Sequence, residues 1–494
     1  MQAVVQAGLR SWSIPPVATF ALLLTGLAYL RGSWLLRRAG YPKLPGWRIT
    51  SFITGLFALW LALASPLDTF SGFVLTAHML QHMMLMMVAP PLILLAEPLI
   101  PMLRGMPRFA AREFAGPFLN WPVAERTGVT LANPVVALVL MGVVMFAWHV
   151  PGLFELALRS SSWHQAEHAC FFFASIVFWW PVVQPWPSRA QRPRWAMLPY
   201  LLIADLQNTA LSAVLVFSDK LLYPSYALSP RLFGLTAQED QAAAGAIMWV
   251  VGSLAFIVPA VLIAVQCLRG RRNNYAERVV RRNQAAVVTR LVSGASRRCL
   301  PRRLLGERMS PGAFEAASFV LLFIVIVAGF AVLPSADDDD QVLRLHQQSG
   351  PLTISVYGPA GDLPVGPATF AVLVQDSGSQ EVILGSDVEA SLQKVDEEDP
   401  APQPMRALPA AENKLLLSAE MPLPSPGRWV LEVTVRQASG TATVSMPVKV
   451  VQAAAGLPVP RSFMLILALA TALSGFYAWR RRTRASAGLA APAT

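Results

Sequence analysis

Long runs of apolar residues, separated by short polar connections, dominate the pattern of this chain. Eight runs carry no charged side chain, and a ninth, residues 195–218, carries only Asp205. Each is about as long as the roughly 20 helical residues that cross a hydrocarbon layer. The pattern therefore predicts an all-α polytopic membrane bundle of about nine spans. The uncharged runs are residues 11–30, 49–67, 71–96, 131–154, 169–188, 241–268, 316–336 and 462–479.

The period of the pattern changes between the last two runs. Segments such as LTISVYG, ATFAVLVQD and RWVLEVTVR alternate or stay apolar between Gly, Pro, Ser and Asp turns. This is typical of short β-strands, so we expect a small all-β sandwich inserted between spans eight and nine. The predicted domains are a seven-span membrane core (1–268), a basic cytoplasmic linker (269–312), span eight (313–336), the sandwich (341–453) and span nine (461–480).

Composition and charge agree with a membrane protein and exclude a water-soluble enzyme. Hydrophobic residues make up 54% of the chain and charged residues 14%, against roughly 25% charged in an average soluble domain. The net charge of +11 is concentrated in alternate connections: residues 269–312 hold twelve Lys and Arg, whereas residues 68–71, 155–162 and 219–240 together hold three. Short basic loops stay cytoplasmic.

We therefore expect a cell-membrane protein with its N-terminus outside, its C-terminus in the cytoplasm and residues 341–453 on the extracytoplasmic side. The basic residues signal topology and contact with anionic lipids, and no nucleic-acid partner is expected. Asp205 lies inside a span, where an acid is costly. Asp205 either has a functional role or is a structural residue that links helices through buried hydrogen bonds.

Five of the six histidines lie in or at the ends of spans, where ionisable side chains are rare. His78 and His82 belong to span three, His149 ends span four, and His164 and His168 begin span five. HMLQH and HQAEH are both H-x3-H, which places two imidazoles on one helical face. In the predicted topology all five lie in the outer half of the membrane. They predict a metal or haem site, and the alternative is a set of hydrogen bonds between helices.

Neighbouring methionines favour copper as the ion. Five of them surround the first histidine pair, and Met86 lies one turn beyond His82. Met248 in span seven is a further candidate near the outer side. Thioethers beside imidazoles favour Cu(I) over zinc. The predicted metal ligands are His78, His82, His149, His164, His168, Met86 and Met248.

Two rival chemistries use the same residues. In an electron-transfer protein, haem b held between facing histidines would account for both pairs. A copper-transport protein would use the same residues as copper ligands. HQAEH also matches the H-x-x-E-H signature of inverted zinc metalloproteases, with Glu167 as the base. The metalloprotease hypothesis requires a third, acidic ligand, which is not evident in the sequence. It also gives no role to His78 and His82.

Four motifs in this order resemble the CtaG-type family of seven-span cytochrome c oxidase assembly factors: HMLQHMMLMMVAPPLILL, WHVPGLFELAL, HQAEHACFFFASIVFWWPVV and EDQAAAGAIMWV. The resemblance covers residues 15–268. It implies a non-enzymatic metallochaperone that delivers copper to a haem–copper oxidase, with oxidase subunits and a soluble copper carrier as partners. It extends to the five histidines and to Gln81, Asp240, Gln241 and Met248.

The outer segment carries a separate, single-strand resemblance. PGRWVLEVTVR resembles a strand of YtkA-like extracytoplasmic domains. The resemblance implies a small module outside the membrane, which we expect to dock a partner.

Overall fold

The computed structural model describes residues 2–39, 45–107, 122–185, 193–269, 341–359, 361–395, 404–410, 413–437 and 440–452. The basic linker and the predicted spans eight and nine lie outside these residues. Within the described part, six helices are long and apolar enough to cross a membrane, or seven if one bent pair counts as a single span. The protein is therefore a multi-pass membrane protein with a separate β-sheet domain towards its C-terminus.

The helices follow the first seven apolar runs in order. Each long helix is apolar over most of its length because a membrane span has lipid or protein, and not water, on every side. The helices are α1 (Gln2–Leu9), α2 (Pro16–Arg38), α3 (Gly46–Ala64), α4 (Pro66–Ser71), α5 (Leu75–Met83), α6 (Ala89–Leu95), α7 (Leu99–Gly105), α8 (Pro122–Leu131), α9 (Pro134–Trp148), α10 (Pro151–Arg159), α11 (Ser161–Val183), α12 (Met197–Phe217) and α13 (Ala237–Arg269).

The apolar run 131–154 holds two helices. α9 ends directly before His149, the residue predicted to end span four, and α9 and α10 meet at an angle of 71°. Pro151 occupies the first turn of α10, and Val150 before it is extended. Proline fits the first turn of a helix and disfavours helical geometry in the residue before it. The break therefore places His149 at a corner between two helices.

The third predicted span continues through a π-helical turn, Met84–Val88, which joins α5 to α6. The main-chain carbonyl of Met86 accepts a hydrogen bond from Ser175 Oγ and another from Trp179 Nε1 at 3.0 Å. Both donors belong to α11. Such turns leave carbonyl groups free for side-chain partners and occur often at functional sites. These bonds fix α5 against the helix that carries the second H-x3-H pair.

The C-terminal domain is a two-layer sandwich. In its described residues, the strand order is β1-β2-β4-β8-β7 in one sheet and β3-β10-β9-β5-β6 in the other. Buried and exposed residues alternate along β9 and β10, and both sheets contribute to one hydrophobic core. The strands are β1 (Gln341–Ser349), β2 (Leu352–Pro359), β3 (Leu363–Pro364), β4 (Gly366–Asp376), β5 (Asp387–Lys394), β6 (Met405–Arg406), β7 (Leu408–Pro409), β8 (Leu417–Leu423), β9 (Gly427–Gln437) and β10 (Gly440–Val451).

The sandwich packs against the end of the helical core where α5 begins. The Lys414 main-chain N–H donates to Ser11 Oγ at 2.8 Å, and the Arg231 N–H donates to the Gln380 carbonyl at 3.2 Å. A small apolar cluster joins the two parts. Its buried side chains are Val4, Phe70, Phe73, Val74 and Leu232 from the core, and Leu373, Val382 and Leu415 from the sandwich.

Candidate metal centre

The two H-x3-H pairs face each other across α5 and α11. The ring centroids of His78 and His164 are 5.3 Å apart, and those of His82 and His168 are 5.5 Å apart. Within the pairs the centroids lie 4.3 Å apart on α5 and 4.2 Å apart on α11. Four imidazoles from distant parts of the sequence therefore form one compact group.

A carboxylate lies inside this group. Glu167 Oε2 is 3.8 Å from His78 Nε2, and Glu167 Oε1 is 3.7 Å from His82 Nε2. Ligand atoms of these three residues all lie within 4.8 Å of one another. The sequence alone suggested Glu167 only as the base of a protease. The signal that could have found it is HQAEH itself, which places Glu167 one turn from His164 on the same helical face.

The fifth histidine approaches the group from the corner between α9 and α10. The ring of Phe171 lies 6.1 Å from His149 and 4.6 Å from His82. Phe171 is therefore a common neighbour of the His149 and His82 rings.

The ligand atoms are buried and lack ordinary hydrogen bonds. Among the residues that the structure describes, the Nε2 atoms of all five histidines and both carboxylate oxygens of Glu167 have no hydrogen-bond partner. Each buried, unsatisfied polar group costs about 1–3 kcal/mol, and more if it is charged. A set of interhelical hydrogen bonds would not leave these atoms unpaired, whereas bound metal ions would satisfy them. The residues therefore fit a metal site.

Two hydrogen bonds fix the orientation of histidine rings in and beside this group. Tyr226 donates its hydroxyl proton to the Ser71 carbonyl at 2.8 Å, so its oxygen accepts from His78 Nδ1 at 3.2 Å. His149 Nδ1 donates to the Met145 carbonyl at 2.7 Å, since a carbonyl only accepts. In both rings the proton is on Nδ1, so Nε2 carries a free lone pair. Hydrogen-bond partners behind metal-bound histidines commonly fix the ring in this tautomer.

Tyr226 also lines a cavity next to this group. The cavity has a volume of about 230 Å³ and is lined by Phe73, Tyr226, Arg231 and Asp240, among others. Burial raises the pKa of the Tyr226 hydroxyl well above its usual value, which keeps the hydroxyl protonated. Tyr226 therefore contacts both the cavity and His78.

Two acidic residues accept hydrogen bonds from main-chain N–H groups of segments that surround the histidine group. Asp240, in the first turn of α13, accepts from the main-chain N–H groups of Leu75 at 2.6 Å and Thr76 at 3.1 Å. It thereby caps α5, which carries the first histidine pair. Glu155 accepts from the Ser225 N–H at 3.0 Å and so holds the turn that carries Tyr226.

Other predicted residues have structural contacts. Gln81 Nε2 donates to Asp68 Oδ1 at 2.7 Å, and Ser253 Oγ donates to Asp205 Oδ1 at 2.7 Å. Asp205 thus joins α12 to α13, as expected of a structural residue that links helices. Met86 and Met248 are buried in the hydrophobic core, and a ligand role for their sulfur atoms stays a prediction.

Comparison with known proteins gives a family match over the helical core. Residues 27–270 match the model of the family described as cytochrome c oxidase caa3 assembly factor. An uncharacterized protein of Mycobacterium leprae is 24% identical over 269 residues, which cover 52% of this chain and 40% of that protein. Uncharacterized proteins of Mycobacterium bovis and Mycobacterium tuberculosis are 26% identical over 277 residues, 53% of this chain and 40% of each relative.

The chain thus spans 40% of the length of these curated relatives. No solved structure is significantly similar to it.

Proposed function

Residues 27–270 belong to the cytochrome c oxidase caa3 assembly factor family, and from this premise we propose that the protein is a copper chaperone for a haem–copper oxidase. The family supplies the role in oxidase assembly. The observation that supports copper cargo is the convergence of five unpaired imidazole nitrogens and Glu167 in the membrane core. In this proposal the side chains act as ligands, and the protein is not an enzyme.

The donor set and its surroundings support copper. Imidazole nitrogen suits copper and zinc, and thioethers select Cu(I). Met79 and Met83 are buried on α5 beside the first histidine pair. Copper is the cargo in this proposal, and its transfer to an oxidase subunit is the function.

The contacts favour metal ions over the two rival chemistries. The ring of His78 packs on Phe154 with centroids 5.0 Å apart, and His82 packs on Phe171 at 4.6 Å. A porphyrin would have to separate these rings. A protease base needs access to water and a peptide, whereas Glu167 is 0% exposed.

We further propose that the histidine group lies in the outer half of the cell membrane, with the sandwich on the extracytoplasmic side. The twelve basic residues of 269–312 support this topology. The sandwich packs beside Phe73 and Val74, one turn before His78. That position suits a docking surface for an oxidase subunit or a soluble copper carrier.

Metal analysis and a visible spectrum of the full chain, purified in detergent, test the proposal. The wild type should hold copper and show no Soret band. The H78A/H82A double variant should lose copper and fail to support oxidase activity while still inserting into the membrane. The matched control is H346A, because His346 lies on β1 and pairs with Ser355 Oγ at 2.8 Å.

The control variant should behave as the wild type. Unchanged copper content in H78A/H82A would contradict the proposal. A Soret band would favour haem b, and zinc together with proteolysis would favour the metalloprotease.

A further inference from the structure

We propose that the histidine group is a binuclear centre in which Glu167 bridges two metal ions, one on each carboxylate oxygen. The inference rests on the proposed function for the presence of metal. It adds the number of ions and the bridging role of Glu167.

The side chains fall into two rows across the helices. We define the outer row as His78 with His164, and the inner row as His82 with His168. Glu167 lies between the rows and directs one oxygen to each: Oε2 is 3.8 Å from His78 Nε2, and Oε1 is 3.7 Å from His82 Nε2. In the proposed centre, each row would supply two imidazoles and one carboxylate oxygen to one ion.

The number of unpaired donor atoms also indicates two ions. In the described part of the chain, eight side-chain atoms of these residues and His149 are buried without a hydrogen bond. One tetrahedral ion takes four ligands, so four atoms would remain unpaired at about 1–3 kcal/mol each. Two ions with a bridging carboxylate would engage both rows and both oxygens, and would leave His149 as an additional ligand.

The spacing of the rows suits paired ions. The rows are separated by 4.3 Å between ring centroids on α5 and by 4.2 Å on α11. Metal ions in two-metal sites lie about 3.5–4 Å apart. The one-turn spacing of H-x3-H therefore matches the separation that a bridging carboxylate spans.

The competing arrangement is a single ion held by His78, His82 and Glu167, whose ligand atoms lie within 4.8 Å of one another. In that arrangement His164 and His168 are dispensable. The two arrangements therefore predict different results when histidines are removed by row and by helix.

The first experiment counts ions bound to the full chain in detergent during anaerobic titration with Cu(I), and separately with Zn(II). The binuclear centre predicts two equivalents in the wild type. It predicts one equivalent in each row variant, H78A/H164A and H82A/H168A. A single His78–His82–Glu167 site predicts one equivalent in the wild type, none in either row variant, and one in H164A/H168A.

The second experiment tests the bridge with E167Q, which keeps the shape of the side chain and removes its charge. We expect about 10–100-fold weaker retention of the second ion, the usual range for an altered partner at a metal site. X-ray absorption should show a metal neighbour within about 4 Å in the wild type and none in E167Q. E420Q is the matched control because Glu420 is exposed on β8.

The outcomes separate the two proposals. One copper equivalent without a metal neighbour would overturn the binuclear centre and leave the copper chaperone standing. Two zinc equivalents without copper binding would support the binuclear centre and overturn copper as cargo. Wild-type protein that binds neither metal would overturn both.

Discussion

Replacing Asp240 with Ala should weaken the metal centre without removing a ligand. The carboxylate accepts hydrogen bonds from the N–H groups of Leu75 at 2.6 Å and Thr76 at 3.1 Å. These belong to the N–H groups at a helix start that have no partner within the helix. A negative charge at that position also interacts favourably with the helix dipole. D240A therefore loosens the start of α5, three residues before His78.

The magnitude follows from the two bonds. A hydrogen bond to a charged group contributes about 1.5–3 kcal/mol, which sets an upper limit of about 3–6 kcal/mol for the pair. Thr76 is only partly buried, so water replaces part of its bond. We expect D240A to lower the free energy of unfolding by about 2–4 kcal/mol and the copper affinity by about 10–100-fold.

The assay combines thermal unfolding in detergent with chelator competition for bound copper. D240N should give intermediate values because its amide oxygen still accepts one bond. D219A is the control, since Asp219 is an exposed acid, and it should match the wild type. If D240A keeps both its melting temperature and its copper affinity, the cap does not position α5.

Three further predictions concern the cavity wall, the outer domain and the topology. Tyr226→Phe removes the acceptor for His78 Nδ1 and the donor to the Ser71 carbonyl. It should weaken copper binding about 10–100-fold, measured by chelator competition, and lower the free energy of unfolding by about 1–3 kcal/mol. Replacing 341–453 by a Gly/Ser linker should leave copper bound but impair oxidase maturation, and loss of copper would instead show that the sandwich supplies ligands. A reporter enzyme that is active only outside the cytoplasm should be active when fused after residue 345 and inactive after residue 285; the reverse would place the histidines on the inner side.

The helices could be predicted from sequence because lipid imposes an apolar composition along the whole length of a span. The break at His149 could not be predicted from composition, because the residues on both sides of it are equally apolar. Pro151 was the local signal for the second helix, whereas the end of span four at His149 was predicted. In the sandwich, the alternation of apolar and polar residues identified apolar strands such as β9 but not the more polar β1 and β5. The order of strands in each sheet depends on pairing between segments that are far apart in the sequence.

The candidate site was predictable only where its geometry is local. H-x3-H fixes two imidazoles on one helical face whatever the helix packs against. The role of Glu167 depends on which helix faces it, and the cap by Asp240 joins residues 165 positions apart. Such contacts have no periodic signal in a single sequence.

The burial of the histidine group has a consequence for kinetics. His78 and Glu167 are 0% exposed, so an ion held between them would have no contact with solvent and would leave only when the protein opened. Opening near Tyr226, which lines the adjacent cavity, would then set the release rate, and a chelator would remove the ion at a rate independent of the chelator concentration. A receiving protein that held this region open would accelerate release without competing for any ligand.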